Sequence, residues 1–433
     1  MMESKEVWVY VNEERGTIGV RSHVLIMPLV FCVNRVAERI EEHFKDVRWG
    51  EHEENRVVAA LHDSGCCHIG FDEEVAERII LGVSSNPNVF AVLFIGLGCG
   101  QFCTKEWKAR LYERNIRRVE HIVVQEEGYE DAVERGISIV DDWVREATKL
   151  KRKKMSLMQA CDKMVIGVGN GASDASSGLF ANPALGCMAD YFLDHGASVV
   201  FSQTPEVLGA EKMLFRRVSN FEGLRSRSIR EISSYIERYG SVKERKLLKK
   251  LSNIVRRAYL FKTSIAEEIG ISEPTPGNIY GGLSTLAEKS LGTMYKIGRK
   301  YCISDILSYG EKIPRNGKLY FMDGPGQDLL SITGMVAGGA QLLIFSTGLG
   351  TPVGSIVAPV LKVTANEKTY KKLHDIIDMY IPIEELVRSR KPVEEYVKSE
   401  LIPQVIEVIS GRKAKSEELG QYDFSIRELW MKI

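Results

Sequence analysis

The sequence predicts an α/β protein built as two Rossmann-like domains, residues 1–150 and 151–433. Their sheets are expected to be parallel or mixed, with ligand loops at the carboxyl ends of the strands. Three observations predict this. Apolar runs of strand length alternate with stretches of helical period. The apolar runs end in polar, glycine-bearing loops. The scheme restarts after a charged stretch at 148–156, TKLKRKKMS. A chain of 433 residues, 44% of them hydrophobic, also exceeds what one core comfortably holds.

HVLIMP (23–28) reads as a buried strand, and Val33, Val36, Ala37 and Ile40 continue it as a helix to about Lys45. RVVAAL (56–61) is the next strand and ends in HDSGCCH (62–68), before a helix from about Glu73 to Gly82. VFAVLFIGL (89–97) is a third strand, closed by Gly98, Cys99 and Gly100. A charged amphipathic helix over 105–115 and a short strand HIVVQ (121–125) follow. The charge run at 148–156 is read as a solvated linker and domain boundary. Beyond it, KMVIGV (163–168), SVVFS (198–202) and LLIF (342–345) are strands running into polar loops. The stretch 215–263 reads as surface helices, and the chain from about Lys368 is mostly helical.

Basic and acidic residues balance at 58 each, which gives no electrostatic reason to expect nucleic acid or a membrane surface. No apolar run has transmembrane length. The opening MMESKE lacks the apolar core of a signal peptide, so a cytoplasmic address is expected. Eight cysteines are too few for a disulfide scaffold and read as thiols. Cys66, Cys67, Cys99 and Cys103 stand apart because they cluster in two strand-end loops.

The loops 62–68, 98–103, 169–178, 203–211 and 346–355 all follow apolar strands. In open α/β sheets ligands bind outside the carboxyl ends of strands. Glycine lets the backbone approach a ligand closely, and helices that begin there offer free N–H groups to anions. An anionic small molecule is the expected ligand. The loop 346–352 lacks the lysine of a phosphate-binding P-loop, which excludes a nucleotide hydrolase.

Several strings, in order, carry a resemblance: GTIGVRSH (16–23), HDSGC (62–66), NPNV (86–89) with GLGC (96–99), and GASD (171–174) with SGLFANP (177–183). They continue with TPE (204–206), GAE (209–211), PGNIYGG (276–282), EKSLG (288–292), FMDGP (321–325) and STGLGTP (346–352). On these the sequence resembles the altronate/galactarate dehydratase family, which includes sulfolactate sulfo-lyase large subunits, over most of its length. The resemblance implies a lyase that removes water, or a similar leaving group, from a hydroxy-carboxylate to give a 2-keto acid. It also implies iron, as Fe2+ or as an iron–sulfur cluster, a separate small subunit, and self-association. Three positions depart from the family pattern: Asn170 stands where it has cysteine, Gln203 where it has glutamate, and Leu349 where it has arginine.

Under that resemblance His62, Cys66 and Cys99 are the candidate metal ligands, since imidazole and thiolate suit iron. On the residues alone they also read as buried groups on tight turns. A cluster would need a further sulfur from Cys67 or Cys103. Asp174, Glu206 and Glu211 are candidate acid/base carboxylates for the elimination, with helix capping as the competing role for Asp174 and Glu206. Lys289 is a candidate substrate clamp or base, or else one member of a surface pair. Arg21, His23, Ser173, Asn182, Asn278, Ser346 and Thr347 are the candidate substrate contacts. Of these, His23 also reads as a satisfied strand histidine, and Asn182 and Asn278 as turn residues. The alternative function is a catalytically altered paralogue that binds a small acid or serves as a partner subunit.

Overall fold

The computed structural model describes residues 5–66, 70–100, 102, 104–224, 226–262 and 274–426. The chain opens with strand β1 (Glu6–Asn12), whose alternation of outward and buried residues marks a strand with one covered face. It pairs antiparallel with β2 (Thr17–Gly19). Four parallel strands follow: β3 (His23–Pro28), β4 (Val57–Ala59), β5 (Val89–Gly96) and β6 (Val119–Val123). They form one sheet in the order β4-β3-β5-β6. Every residue of β3 is buried, as expected for a parallel strand covered on both faces.

The charge run read as a linker is in part a strand. β7 (Lys153–Ser156) pairs antiparallel with β1, Glu6 opposite Ser156. Its lysines point outward along an edge, where charge discourages further pairing. Arg152, just before it, is buried and ion-paired to buried Glu54 at 2.9 Å.

The second sheet has seven parallel strands: β8 (Val165–Asn170), β9 (Ser198–Phe201), β10 (Ile303–Leu307), β11 (Leu319–Met322), β12 (Leu342–Ser346), β13 (Val360–Thr364) and β14 (Met379–Tyr380). Their order is β10-β11-β9-β8-β12-β13-β14. The helices Ile229–Tyr239 and Val242–Phe261 fill the long connection between β9 and β10. Helix Asp328–Ala337 carries the chain from β11 across to β12.

The two sheets share a core. Leu25, Val92 and Phe94 of the first sit in one apolar cluster with Val165, Leu343 and Phe345 of the second. Helix Phe71–Ser84 packs on helix Asp328–Ala337, so closely that a Cβ at Gly82 would meet the Ala337 carbonyl oxygen at 2.4 Å. Buried Asn86 donates to the carbonyls of Val336 and Ala340, both at 2.9 Å. Asn88 donates to those of Gln341 and Val357 at 2.9 and 3.0 Å. Among the described residues no helix is long and apolar enough to cross a membrane.

Candidate active site

The second sheet grows one way from β8, through β9, and then restarts on the other side with β12. The crevice outside the carboxyl ends of strands at such a reversal is where open α/β sheets bind ligands. Asn170, the last residue of β8, lies in register with Ser346, the last of β12. The Gly171 N–H donates to the Ser346 carbonyl at 2.9 Å. A Cβ on Gly171 would stand 2.7 Å from Asp328 Oδ2, so only glycine lets the loop lie against that carboxylate.

Around Asn170 a polar cluster is buried. Lys296 is wholly enclosed, and its Nζ donates to Asn170 Oδ1 at 2.5 Å and to Gln203 Oε1 at 2.6 Å. It also reaches Glu206 Oε2 at 3.4 Å. Lys289 Nζ pairs with the other oxygen of the same carboxylate at 3.3 Å. Asn170 Nδ2 donates to Glu206 Oε1 at 3.1 Å. Gln203 closes the ring: its Oε1 accepts from the Asn170 N–H, and its Nε2 donates to the Asn170 carbonyl. To do so Gln203 adopts a left-handed backbone with φ 78°, a conformation that costs a non-glycine residue energy and recurs at functional sites.

Two groups here titrate near neutrality. Burial pulls the Lys296 ammonium down to about 8, against the opposing attraction of Glu206. Burial, and then the Glu206 charge, push the Asp328 carboxyl up to about 6, against its hydrogen bond with Thr351 and the pull of Lys289 and Lys296. Perturbed groups of this kind concentrate at reaction centres. Asp328, poised near 6, suits a general base, while the ammonium of Lys296 is spent on holding Asn170, Gln203 and Glu206 in place.

Next to this cluster lies an uncharged polar wall. Ser173 N–H donates to Asn278 Oδ1 at 2.9 Å, and Ser346 Oγ donates to Asn182 Oδ1 at 2.5 Å. Thr347 Oγ1 donates to the Ala172 carbonyl at 3.4 Å and accepts from the Gly350 N–H at 2.9 Å. Asp174 is committed to structure. Its Oδ1 accepts from the Ser177 N–H, the Ser177 hydroxyl and the Ser176 hydroxyl, and its Oδ2 accepts from Asn366 Nδ2 at 2.7 Å. That is the capping role, held in addition by a side chain 192 residues away.

The crevice thus gathers Glu206, Lys289, Ser173, Asn182, Asn278, Ser346 and Thr347 from the residues singled out in the sequence, with Asp174 at its edge as a brace. Glu211 stands apart, with Oε1 accepting from the Gly209 N–H at 2.8 Å. Arg21 is not placed as a carboxylate clamp. It is fully buried, its fork pairs with Glu417 at 2.6 and 2.7 Å, and its other donors go to the carbonyls of Val20, Val408 and Arg412. His23 lies at the amino end of β3, away from the strand-end loops, and its Nδ1 accepts from the Arg56 N–H. Burial, then Arg21 and Arg56, push it down to about 3, so it is a neutral structural histidine.

The expected metal ligands belong to the first sheet. His62 is buried, with Nε2 donating to the Pro28 carbonyl at 2.8 Å and Nδ1 accepting from the Ser64 N–H at 3.2 Å. Both ring nitrogens therefore already face backbone groups. Cys66 and Cys99 are exposed thiols. Among the described residues, no three His, Cys, Asp or Glu side chains come together as a metal site. Cys67 and Cys103, the further sulfurs a cluster would need, lie outside the described residues, so the described donors are only part of the expected set.

Lys296 and Asp328 escaped the sequence reading. Lys296 follows a helix end and looks like any surface lysine. Asp328 opens a helix, where an acidic residue needs no further reason. The one local signal was the helix behind Asp328, Asp328–Ala337, whose sequence carries no charge after its first residue and so suits the interior next to a strand-end loop.

Sequence comparison adds an independent finding. The model for the C-terminal domain of D-galactarate/altronate dehydratase matches residues 161–252 and 234–432. The model for the second domain of D-galactarate dehydratase/altronate hydrolase matches residues 9–148. The chain is 32% identical to an altronate dehydratase of Bacillus subtilis, covering 94% of this chain and 74% of that protein. It is 30% identical to an altronate dehydratase of Escherichia coli, over 86% of this chain and 68% of that protein. Against a (2R)-sulfolactate sulfo-lyase subunit beta of Chromohalobacter salexigens it is 28% identical, over 97% and 96% of the two chains.

Proposed function

Because this chain belongs to the D-galactarate/altronate dehydratase family, we propose that it is a hydro-lyase acting on a small hydroxy-carboxylate, with the crevice between β8 and β12 as its reaction centre. The observation that carries this reading is the cluster of buried Glu206 and Lys296 with half-buried Lys289 and Asp328 at the topological switch point. Its relatives are altronate and galactarate dehydratases and a sulfolactate sulfo-lyase. They share a substrate type, a carboxylate with a leaving group β to an acidic C–H.

The elimination divides among this chain's own residues. Asp328, its carboxyl held near 6, accepts the α-proton and returns it to the β-hydroxyl as the C–O bond breaks, so that water leaves and the remaining enol tautomerises to the 2-keto acid. Lys289, ion-paired to Glu206, supplies positive charge where the substrate carboxylate gathers electron density. The hydroxyls of Ser346 and Thr347 and the amides of Asn182 and Asn278 orient the substrate's own hydroxyls. Lys296 is a positioning residue, since it ties Glu206, Asn170 and Gln203 into one arrangement. The expected iron remains a proposal, tested by the metal content of anaerobically purified protein beside Cys66→Ala and Cys99→Ala variants.

The test is keto-acid formation across a panel of sugar acids, with sulfolactate included. One or more substrates should turn over, and Asp328→Asn and Lys289→Met should each lower kcat by about 100-fold or more, the usual worth of a positioned acid or base. Turnover of none by metal-loaded protein would favour the alternative, a small-acid-binding paralogue, which rests on the neutral amides Asn170 and Gln203. A separate small subunit is also proposed, supported by the match over 96% of a relative that is itself one subunit. Copurification and light scattering check both that partner and self-association.

A further inference from the structure

A second cavity, of about 500 Å³, opens on the seam between the two sheets' units. Arg15, Arg78 and Arg114 line it from the first, and Lys312 and Arg315 from the second. Glu113 is its one carboxylate, and its charge acts on Arg114, so a single carboxylate stands against five cations. Five cationic side chains around one space repel each other unless something anionic joins them.

Part of this group has a structural task. Arg15 donates to the Ser85 carbonyl, and Arg114 donates to the Ser85 hydroxyl at 3.2 Å. Both thereby cap the carbonyl end of helix Phe71–Ser84, where positive charge is favoured. Arg78 donates to the Tyr309 carbonyl at 2.8 Å. None of this accounts for Arg315. Among the described residues its Nε is buried without a hydrogen-bond partner, and no carboxylate pairs with its guanidinium. A buried, unpaired donor is destabilising, and more so when it is charged. Burial, then the charge of Arg315, push the neighbouring Arg15 down to about 10. Two half-buried guanidinium groups are therefore held together across the seam with no counterion between them.

We propose that this cavity is a binding site for a small polyanion, a phosphate ester or a polycarboxylate, clamped between Arg15 and Arg315. Planar guanidinium forks bind such oxyanions in two-pronged fashion. The volume suits a ligand of metabolite size. The site lies at the Ala337 end of the helix whose other end, Asp328, belongs to the crevice, and it spans both halves of the molecule.

Thermal unfolding and titration calorimetry of the full chain test this, with sodium phosphate and sodium citrate as probes. Sodium chloride at matched ionic strength is the control. The expected result is a saturable rise in Tm with at least one probe. Its half-saturation should move at least tenfold higher in Arg315→Gln and in Arg15→Gln, and stay unchanged in Lys296→Met. A response to phosphate alone assigns the site to phosphate esters, and a response to citrate assigns it to polycarboxylates. The proposal is overturned if chloride reproduces the shift or if the shift fails to saturate. A loss in Lys296→Met with both arginine variants unaffected also overturns it, because the anion then sits in the crevice.

Discussion

Asp328 carries a cost that its neighbours impose. Its carboxyl is raised from 3.8 to about 6, so the folded state holds a proton there more tightly than the unfolded chain does. Stability from this group therefore falls as pH climbs from about 4 to 6, and the penalty is complete above that. Asp328→Asn removes it. The variant should gain about 2 kcal/mol at pH 8, less than the full shift implies because the side chain is not wholly enclosed, and lose the gain below about pH 4. Urea unfolding at the two pH values reads this, and the same variant should be nearly inactive. Lys296 sets the other limb of a bell-shaped rate profile, falling above about pH 8. Gln203→Glu would place a charge where the amide now accepts from Lys296 at 2.6 Å, and should move that limb up by one unit or more. An unmoved limb in a pH–rate profile would remove Lys296 from the account. At this scale Glu206 and Lys289 were legible because they follow glycine-rich loops. Lys296 and Asp328 were not, because burial by distant segments leaves no local mark.

Elements read best where the pattern is extreme. HVLIMP is a strand from its first residue to its last, because a strand covered on both faces is continuously apolar. HIVVQ is a strand only to Val123, and Val124 already begins a one-turn helix. β7 was hidden by its lysines, which an edge strand tolerates. β1 was readable in principle, since EVWVYVN alternates with period two. The helices Phe71–Ser84 and Asp328–Ala337 matter most for coherence, because their packing joins the sheets. Asn86→Ala leaves the Val336 and Ala340 carbonyls without their donor and should cost about 2–4 kcal/mol. Denaturant curves followed by tryptophan fluorescence measure that loss. A change within 0.5 kcal/mol would mean the seam is held by apolar packing alone.

The whole molecule is less divisible than its two parallel sheets suggest. β1 is an early strand whose antiparallel neighbour β7 lies beyond residue 150, and buried Glu54 depends on Arg152 from the same stretch. Residues 1–150 expressed alone should therefore be poorly soluble, with an unpaired edge and an unpaired buried carboxylate. Coexpression with 151–433 should recover the fold, as read by circular dichroism and copurification. The pair of Arg21 with Glu417 stretches this dependence over 396 residues. At roughly 5–20 residues per second, a nascent chain waits about 20–80 s between making the arginine and making its counter-charge. The first sheet must stay loosely closed through that interval, and the stretch around Glu417, made long after it, acts as the latch that seals it.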